Sequence, residues 1–235
     1  MKGVHTLGAG DGFVPGAWPV VITKLLDGEK LKTAQDLADL CPFERGEAPG
    51  AAGAVKQNYE ARAGSREPDV VSEPRENLLG LVAHAVASHE VLQRYAYARR
   101  VRAAIVNRYE TGDHYGPHVD AHHIAGARAD FSFSVVLEVP GAGGQLYIEG
   151  VRIPYLEPGD AIVYPTGPVH EVGAVGGGRR TAVVGWAESM VPDPSLRAWL
   201  VQLDTTRRQL EADGHARAAL DVNRVYQEAF RRFTR

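Results

Sequence analysis

Three side chains able to ligate a metal stand in an order that a single ion can use: His118 and Asp120, one residue apart, and then His170. Strand residues alternate faces, so positions i and i+2 project together, and the His118, Val119, Asp120 triplet can grip one ion from a single strand. A second imidazole from a distant strand, His170, completes a set of two histidines and one carboxylate. Such a set leaves positions open on non-haem Fe(II), where oxygen and a cosubstrate bind. Arg180 follows, across glycines at 176, 177 and 178. Its planar guanidinium suits bidentate capture of a carboxylate. Iron, an oxo-acid and O2 are the chemistry this pattern fits.

A site of this kind needs strands to hold it, and from residue 101 to 187 the sequence runs in period-two segments separated by Gly, Pro and Asp. VRAAIVNRY, DFSFSVVLEV, GQLYIE, AIVYP and RTAVVGW are the expected strands. Strands at this spacing favour a closed or double-sheet architecture, so the fold class is mainly β with flanking helices around a jelly-roll core. Strand parity puts Arg180, Ala182, Val184 and Trp186 on one face and Arg179 with Thr181 on the other, which makes Arg179 a solvated surface cation. The Gly176 to Gly178 turn is expected to bring the Arg180 strand back beside the His170 strand. Asn107 shares the face of Tyr109 and can reach the same cavity as a substrate or supporting contact. Tyr115 and Tyr164 are candidates for an aromatic wall, with a core role as the plainer reading. Trp186, and His123 or Arg128 from the loop AHHIAGARA, are further candidates for substrate contacts. His114 and His122 crowd the same region and read as solvated.

The remaining segments brace this core. Residues 1–27 carry two short apolar patches that suggest strands or an entry loop. Thr33 is the expected cap of a helix through AQDLADL, with Leu37 and Leu40 on its apolar face. Residues 44–76 lack periodicity and read as an active-site flap or a surface loop. A helix is expected over 76–95, with Leu78, Leu79, Val82, Val86 and Val91 near one stripe and Pro74 just outside its start. From Pro194 the period becomes helical, with one stripe of Leu196, Trp199, Leu200, Leu203 and Leu210. A second stripe holds Val222, Val225, Tyr226, Ala229, Phe230 and Phe233. The expected divisions are 1–100 for N-terminal strands, flap and bracing helix, 101–192 for the core, and 193–235 for a C-terminal helical subdomain whose apolar stripes suit a homo-oligomer.

Composition narrows the function classes. A chain of 235 residues with 44% hydrophobic and 23% charged residues is ordinary for a globular protein. A formal net charge of -3 gives no general attraction to nucleic acid or to anionic membrane. Cys41 is the single cysteine, so no intramolecular disulfide forms. No signal-peptide core and no long apolar span stand out, and cytoplasmic expression is expected.

The stretch NRYETGDHYGPHVD resembles the segment that opens the metal site in prolyl-4-hydroxylase-like dioxygenases, particularly the PKHD-type hydroxylases. The likeness continues in order through ADFSFSVVLEVP, GAGGQLYIEG, LEPGDAIVYPTGPVHEV and GGGRRTAVVGWAESMV, about 90 residues in all, which is more specific than any one motif. It implies a double-stranded β-helix, Fe(II) and 2-oxoglutarate as cofactors, and ascorbate as a possible reductant. It also implies that Tyr109 donates to the distal carboxylate of 2-oxoglutarate. Lys56, Gln57 and Asn58, in KQNYEA, fall where the family carries a lysine- and amide-rich stretch near its active site.

These readings converge on an Fe(II)- and 2-oxoglutarate-dependent hydroxylase. Its substrate is a free amino acid, a small metabolite or a peptidyl residue, and its products include succinate and CO2. Asp120 weighs against a halogenase, where chloride takes the carboxylate's place. GRRTAVVGWAES lacks the Arg- and Asn-rich ending of the related nucleic-acid demethylases. The alternative is a cupin-like metal-binding or sensor protein without turnover, since fold does not fix function.

Overall fold

The computed structural model describes residues 3–8, 13–46, 55–61 and 73–234. Its larger sheet has eight strands. In spatial order they are β1 (Val4–Thr6), β2 (Val20–Ile22), β14 (Ala161–Pro165), β10 (Phe131–Glu138), β17 (Arg180–Ser189), β6 (Ala98–Tyr109), β5 (Tyr59–Ala61) and β3 (Phe43–Arg45). The smaller sheet has five, in the order β13 (Val151–Arg152), β12 (Leu146–Ile148), β15 (His170–Val172), β7 (His114–His118) and β4 (Lys56–Gln57). Two short ribbons complete the set: β8 (His123–Ile124) with β9 (Ala127–Arg128), and β11 (Ala142–Gly143) with β16 (Val175–Gly177).

Strand β10 shows how the sequence builds two environments from one segment. Its Phe131, Phe133, Val135 and Leu137 enter the main core, packed with Leu78, Val82 and Val86 of helix α2 (Glu73–Ser88) and Ala34 and Ala38 of helix α1 (Gly28–Leu40). The alternate residues, Ser132, Ser134 and Val136, are also buried but face the other way. Between the two sheets lies a second apolar cluster, with Tyr109, Ile162 and Tyr164 from the larger sheet and Leu146, Ile148 and Val172 from the smaller. The site sits in this inter-sheet space, with one wall stiffened from behind by helices.

Several expectations are corrected. Helix α1 starts at Gly28, not after Thr33, and it buries Ala34 and Ala38. Leu40, its last residue, is 68% exposed. Small residues four apart let the helix lie close on the sheet, and this outweighs the burial of larger ones. The helix expected over 76–95 is two, because His89 takes an extended conformation and its Nδ1 accepts the Val91 N–H at 3.2 Å, capping α3 (Glu90–Arg94). Pro74 lies within the first turn of α2, where its missing N–H has no helical partner to lose. Part of the presumed flap is sheet, since Arg45, Lys56 and Tyr59 all lie in strands. The rest of it, residues 47–54 and 62–72, falls outside the described residues.

The largest correction concerns β15 and β17, which are not neighbours. After Val172 the chain forms β16 against β11 and crosses from the smaller sheet to the larger, so the His170 and Arg180 strands belong to opposite walls. Gly143 permits the crossing. With φ of +72°, its absent Cβ would meet the Ala174 carbonyl oxygen at 2.1 Å.

The tail forms helices α4 (Pro194–Ala212) and α5 (Ala216–Phe233), with Asp193 accepting the Leu196 N–H at the start of α4. Leu200 and Val201 pack with Tyr95, Tyr97 and Val191. Trp199 is 67% exposed, and Val225 and Phe233 also face solvent, so neither stripe lies where the leucine spacing alone placed it. No helix among the described residues is long and apolar enough to cross a membrane.

Candidate active site

His118 ends β7, and β15 sets His170 directly opposite it in register. Asp120 lies two residues beyond the end of the strand, so the same-face argument for the triplet holds only as far as His118. The turn nonetheless returns the carboxylate to the imidazoles: His118 Nε2 is 3.9 Å from Asp120 Oδ1 and His170 Nε2 is 3.6 Å from Oδ2. One ligand atom from each of the three lies within 4.8 Å of the others.

Each of these groups is oriented by something behind it. His118 Nδ1 lies 2.9 Å from the Gly116 carbonyl and His170 Nδ1 3.1 Å from the Pro168 carbonyl. Those contacts place the ring protons on Nδ1 and turn the Nε2 lone pairs inward. Burial, reinforced by neighbouring His170, holds the His118 imidazole below its usual pKa, which favours the neutral ring that metals take. Asp120 Oδ2 accepts from Ser132 Oγ at 3.0 Å and from the Trp186 indole N–H at 2.9 Å. Tyr115 stacks on His118 at 3.6 Å between centroids, and Tyr164 presents an edge to His170 at 5.6 Å. Both tyrosines therefore wall the imidazoles while also joining the apolar cluster.

Across the barrel, Arg180 and Tyr109 are directly paired residues of β17 and β6. Both are buried, and Arg180 Nη1 has no hydrogen-bond partner. Burial pushes the Tyr109 phenol up to about 12, with Arg180 acting in the opposite sense, so the hydroxyl remains a proton donor. A small cavity beside Arg180 is lined by Val136, Gly144, Leu146, Ile153 and Leu156. Arg179 points to the other face, where it binds Glu138 at 2.6 Å and Asp39 at 3.2 Å. It is thus a paired surface cation and not a merely solvated one.

Of the other candidates, Asn107 is buried inside and its Oδ1 has no partner. His123 is exposed on the β8–β9 ribbon. Arg128 is occupied by the Ser189 carbonyl at 2.7 Å and by Asp130 and Glu188. Sequence reasoning missed Ser132 and its partner Thr166, and the Lys56–Glu60 ion pair, whose lysine lies over the Tyr115 ring. The alternation in FSFS was the available signal for Ser132, since a buried polar face opposite a phenylalanine face departs from core patterning and marks a functional cavity.

Comparison with known proteins agrees with this geometry. Residues 104–188 match the model of the 2OG-Fe(II) oxygenase superfamily. A PKHD-type hydroxylase of Rippkaea orientalis is 36% identical over 201 residues, covering 81% of this chain and 87% of that protein. The chain belongs to the PKHD-type hydroxylases. A Shewanella frigidimarina member of the family is 32% identical over 230 residues, covering 92% of this chain and 99% of its own. Among solved structures, a viral collagen prolyl hydroxylase from Paramecium bursaria Chlorella virus-1 aligns with a TM-score of 0.50 at 14% identity, over 74% of this chain and 97% of that one. A non-heme alpha ketoglutarate dependent carbocyclase from nogalamycin biosynthesis gives 0.51 at 14%, over 75% and 81%. These likenesses show the double-stranded β-helix fold. As a PKHD-type hydroxylase, the protein is a 2-oxoglutarate-dependent dioxygenase whose cofactors are Fe(II) and 2-oxoglutarate and whose partners are O2 and a substrate. The residues present fit both cofactors. The inward Nε2 atoms and a carboxylate suit Fe(II), and an unpartnered buried guanidinium suits a dicarboxylate.

Proposed function

We propose that this hydroxylase inserts oxygen into an unactivated C–H bond of an amino acid, a small metabolite or a peptidyl residue, with release of succinate and CO2. His118, Asp120 and His170 are its Fe(II) ligands, and Arg180 with Tyr109 receives the distal carboxylate of 2-oxoglutarate. The observation that carries this reading is the pairing of an oriented His, Asp, His trio on one side with a buried guanidinium whose Nη1 lacks a hydrogen-bond partner on the other. Fe(II), with 2-oxoglutarate and O2, supplies the oxidising chemistry for C–H hydroxylation.

The chain's own residues supply orientation and exclusion. Ser132 and Trp186 hold Asp120 Oδ2, which leaves Oδ1 for the metal. Tyr115 and Tyr164 pack on the imidazoles and keep water from their faces. Arg180 binds an anion in a site already stripped of solvent, where a charge-assisted pair is strong. Tyr109 keeps its proton and donates a hydrogen bond.

Succinate release from the Fe(II)-loaded protein, coupled to a mass-spectrometric screen for products that gain one oxygen atom, tests the proposal. Succinate with an oxygenated product is the expected result. Binding of metal and 2-oxoglutarate without any succinate would instead establish the sensor reading.

A further inference from the structure

One row of residues runs from β17 and β6 of the larger sheet to the chain just outside β5 and β3. Arg180 on β17 pairs with Tyr109 on β6, and the β6–β5 pairing sets Arg108 opposite Tyr59. One step further along that pairing, Asn58 comes opposite Tyr109. On its other side, the Gly46 N–H donates to the Asn58 carbonyl at 2.9 Å, so Gly46 closes the row beyond β3. Directly opposed residues of antiparallel strands share a face, so Asn58, Tyr109 and Arg180 look into the barrel together.

Asn58 is 0% exposed, and neither its Oδ1 nor its Nδ2 completes a hydrogen bond with the protein. A buried amide with both ends unpartnered is costly, and such groups call for an explanation. The surrounding structure makes room for it. A Cβ on Gly46 would lie 2.3 Å from Asn58 Oδ1, so glycine at 46 is what lets the amide sit where it does. The amide stands opposite Tyr109 and acts against the rise that burial imposes on the phenol's pKa.

We propose that Asn58 is a positioning residue for cosubstrate binding: its unpaired Nδ2–H closes on the Tyr109 oxygen when the carboxylate enters, so that the phenol's own proton points toward the carboxylate held by Arg180. The inference rests on the reading that Arg180 and Tyr109 receive the distal carboxylate of 2-oxoglutarate. A tyrosine hydroxyl is both donor and acceptor. Filling its acceptor side from Asn58 removes the alternative in which the hydroxyl turns away from the bound carboxylate. No bond is made or broken in this role.

The test is anaerobic calorimetric titration of the Fe(II)-loaded protein with 2-oxoglutarate, with thermal unfolding of each variant as a control. Asn58→Leu, similar in size but without the amide, is expected to weaken binding about fivefold to tenfold, the usual worth of one hydrogen bond. Turnover at saturating 2-oxoglutarate should stay within about twofold, since uniform binding is lost and not transition-state stabilisation. In a Tyr109→Phe background the same change should add less than about twofold, because no proton is left to direct. Gly46→Ala leaves Asn58 in place but crowds its oxygen, and is expected to weaken 2-oxoglutarate binding in the same sense. Unchanged affinity in both Asn58→Leu and Gly46→Ala overturns the proposal, as does a full-sized Asn58→Leu loss that persists beside Tyr109→Phe. A normal loss from Tyr109→Phe with none from Asn58→Leu removes this proposal alone. No response to either Tyr109→Phe or Arg180→Ala removes the underlying reading, and this one with it.

Discussion

The two ends of the inter-sheet space differ in how their polar atoms are satisfied. At the histidine end each of His118, Asp120 and His170 has a protein partner behind it: Gly116 and Pro168 carbonyls for the imidazoles, Ser132 and Trp186 for Asp120. At the arginine end the buried polar atoms lack partners, with Arg180 Nη1, both ends of the Asn58 amide and Asn107 Oδ1 all unpaired. The first end is organised before anything binds. The second is organised for something that binds. Unsatisfied buried groups are tolerated where a ligand completes them, so a deficit of hydrogen bonds is here as informative as a surplus.

The comparison breaks most severely if the carboxylate goes. Asp120→Ala removes the anionic member of the proposed ligand set and should lower Fe(II) affinity by at least about 100-fold, with loss of turnover, read by metal content and succinate release. Unchanged iron content would show that the organised end is organised for something else. At the other end, Arg180→Ala should weaken 2-oxoglutarate binding by tens to thousands of fold, from about 2–5 kcal/mol for a truncated buried charge pair. Arg179→Ala is the contrast, since its partners Glu138 and Asp39 are exposed enough that the loss should stay within about 1 kcal/mol of stability and leave binding alone. Reversal of that order in a titration would undo the face assignment.

Trp186→Phe sharpens the comparison by keeping the ring while deleting the N–H to Asp120. It should cost about 10–100-fold in metal affinity or activity, with 2-oxoglutarate affinity of the metal-loaded protein little changed. The smallest effect lies outside both ends. Burial holds His89 below its usual pKa, and its neutral Nδ1 caps α3. The unfolded chain therefore takes up that proton first, so the contribution is present above about pH 6.5 and is lost as pH falls below it. His89→Asn keeps a capping side chain without titrating. The wild type should lose up to about 1 kcal/mol more than this variant between neutral and mildly acid pH, as measured by denaturant unfolding.

The sequence made the alternating core strands and the inward face of Arg180 legible, because strand parity is local and period two has no competing explanation in RTAVVGW. It concealed what depends on register and crossing. Ser132 and Trp186 meet over Asp120 only because β10 and β17 pair with those residues opposite each other, which no spacing along the chain reveals. The glycines at 176 to 178 fit a tight hairpin and a crossover between sheets equally well, and the crossover won because Gly143 lets β11 close on β16. The helix over 76–95 read as continuous because its apolar stripe runs past His89, while the break depends on a side-chain cap. Trp199 looked buried because large apolar residues usually are, yet the adjacent Leu200 and Val201 take the face against Tyr95, Tyr97 and Val191.

That crossover also acts as a calliper. His170 rides on one jaw and Arg180 on the other, so a ligand touching both is measured across the barrel and not along a strand. The opening follows the spacing of packed sheets, about 10 Å, and at the crossing Gly143 lies against Ala174 with no room for a methyl group. A dicarboxylate one carbon longer or shorter meets jaws that do not slide. On the proposed reading, selectivity for cosubstrate length is a property of how far apart two walls stand.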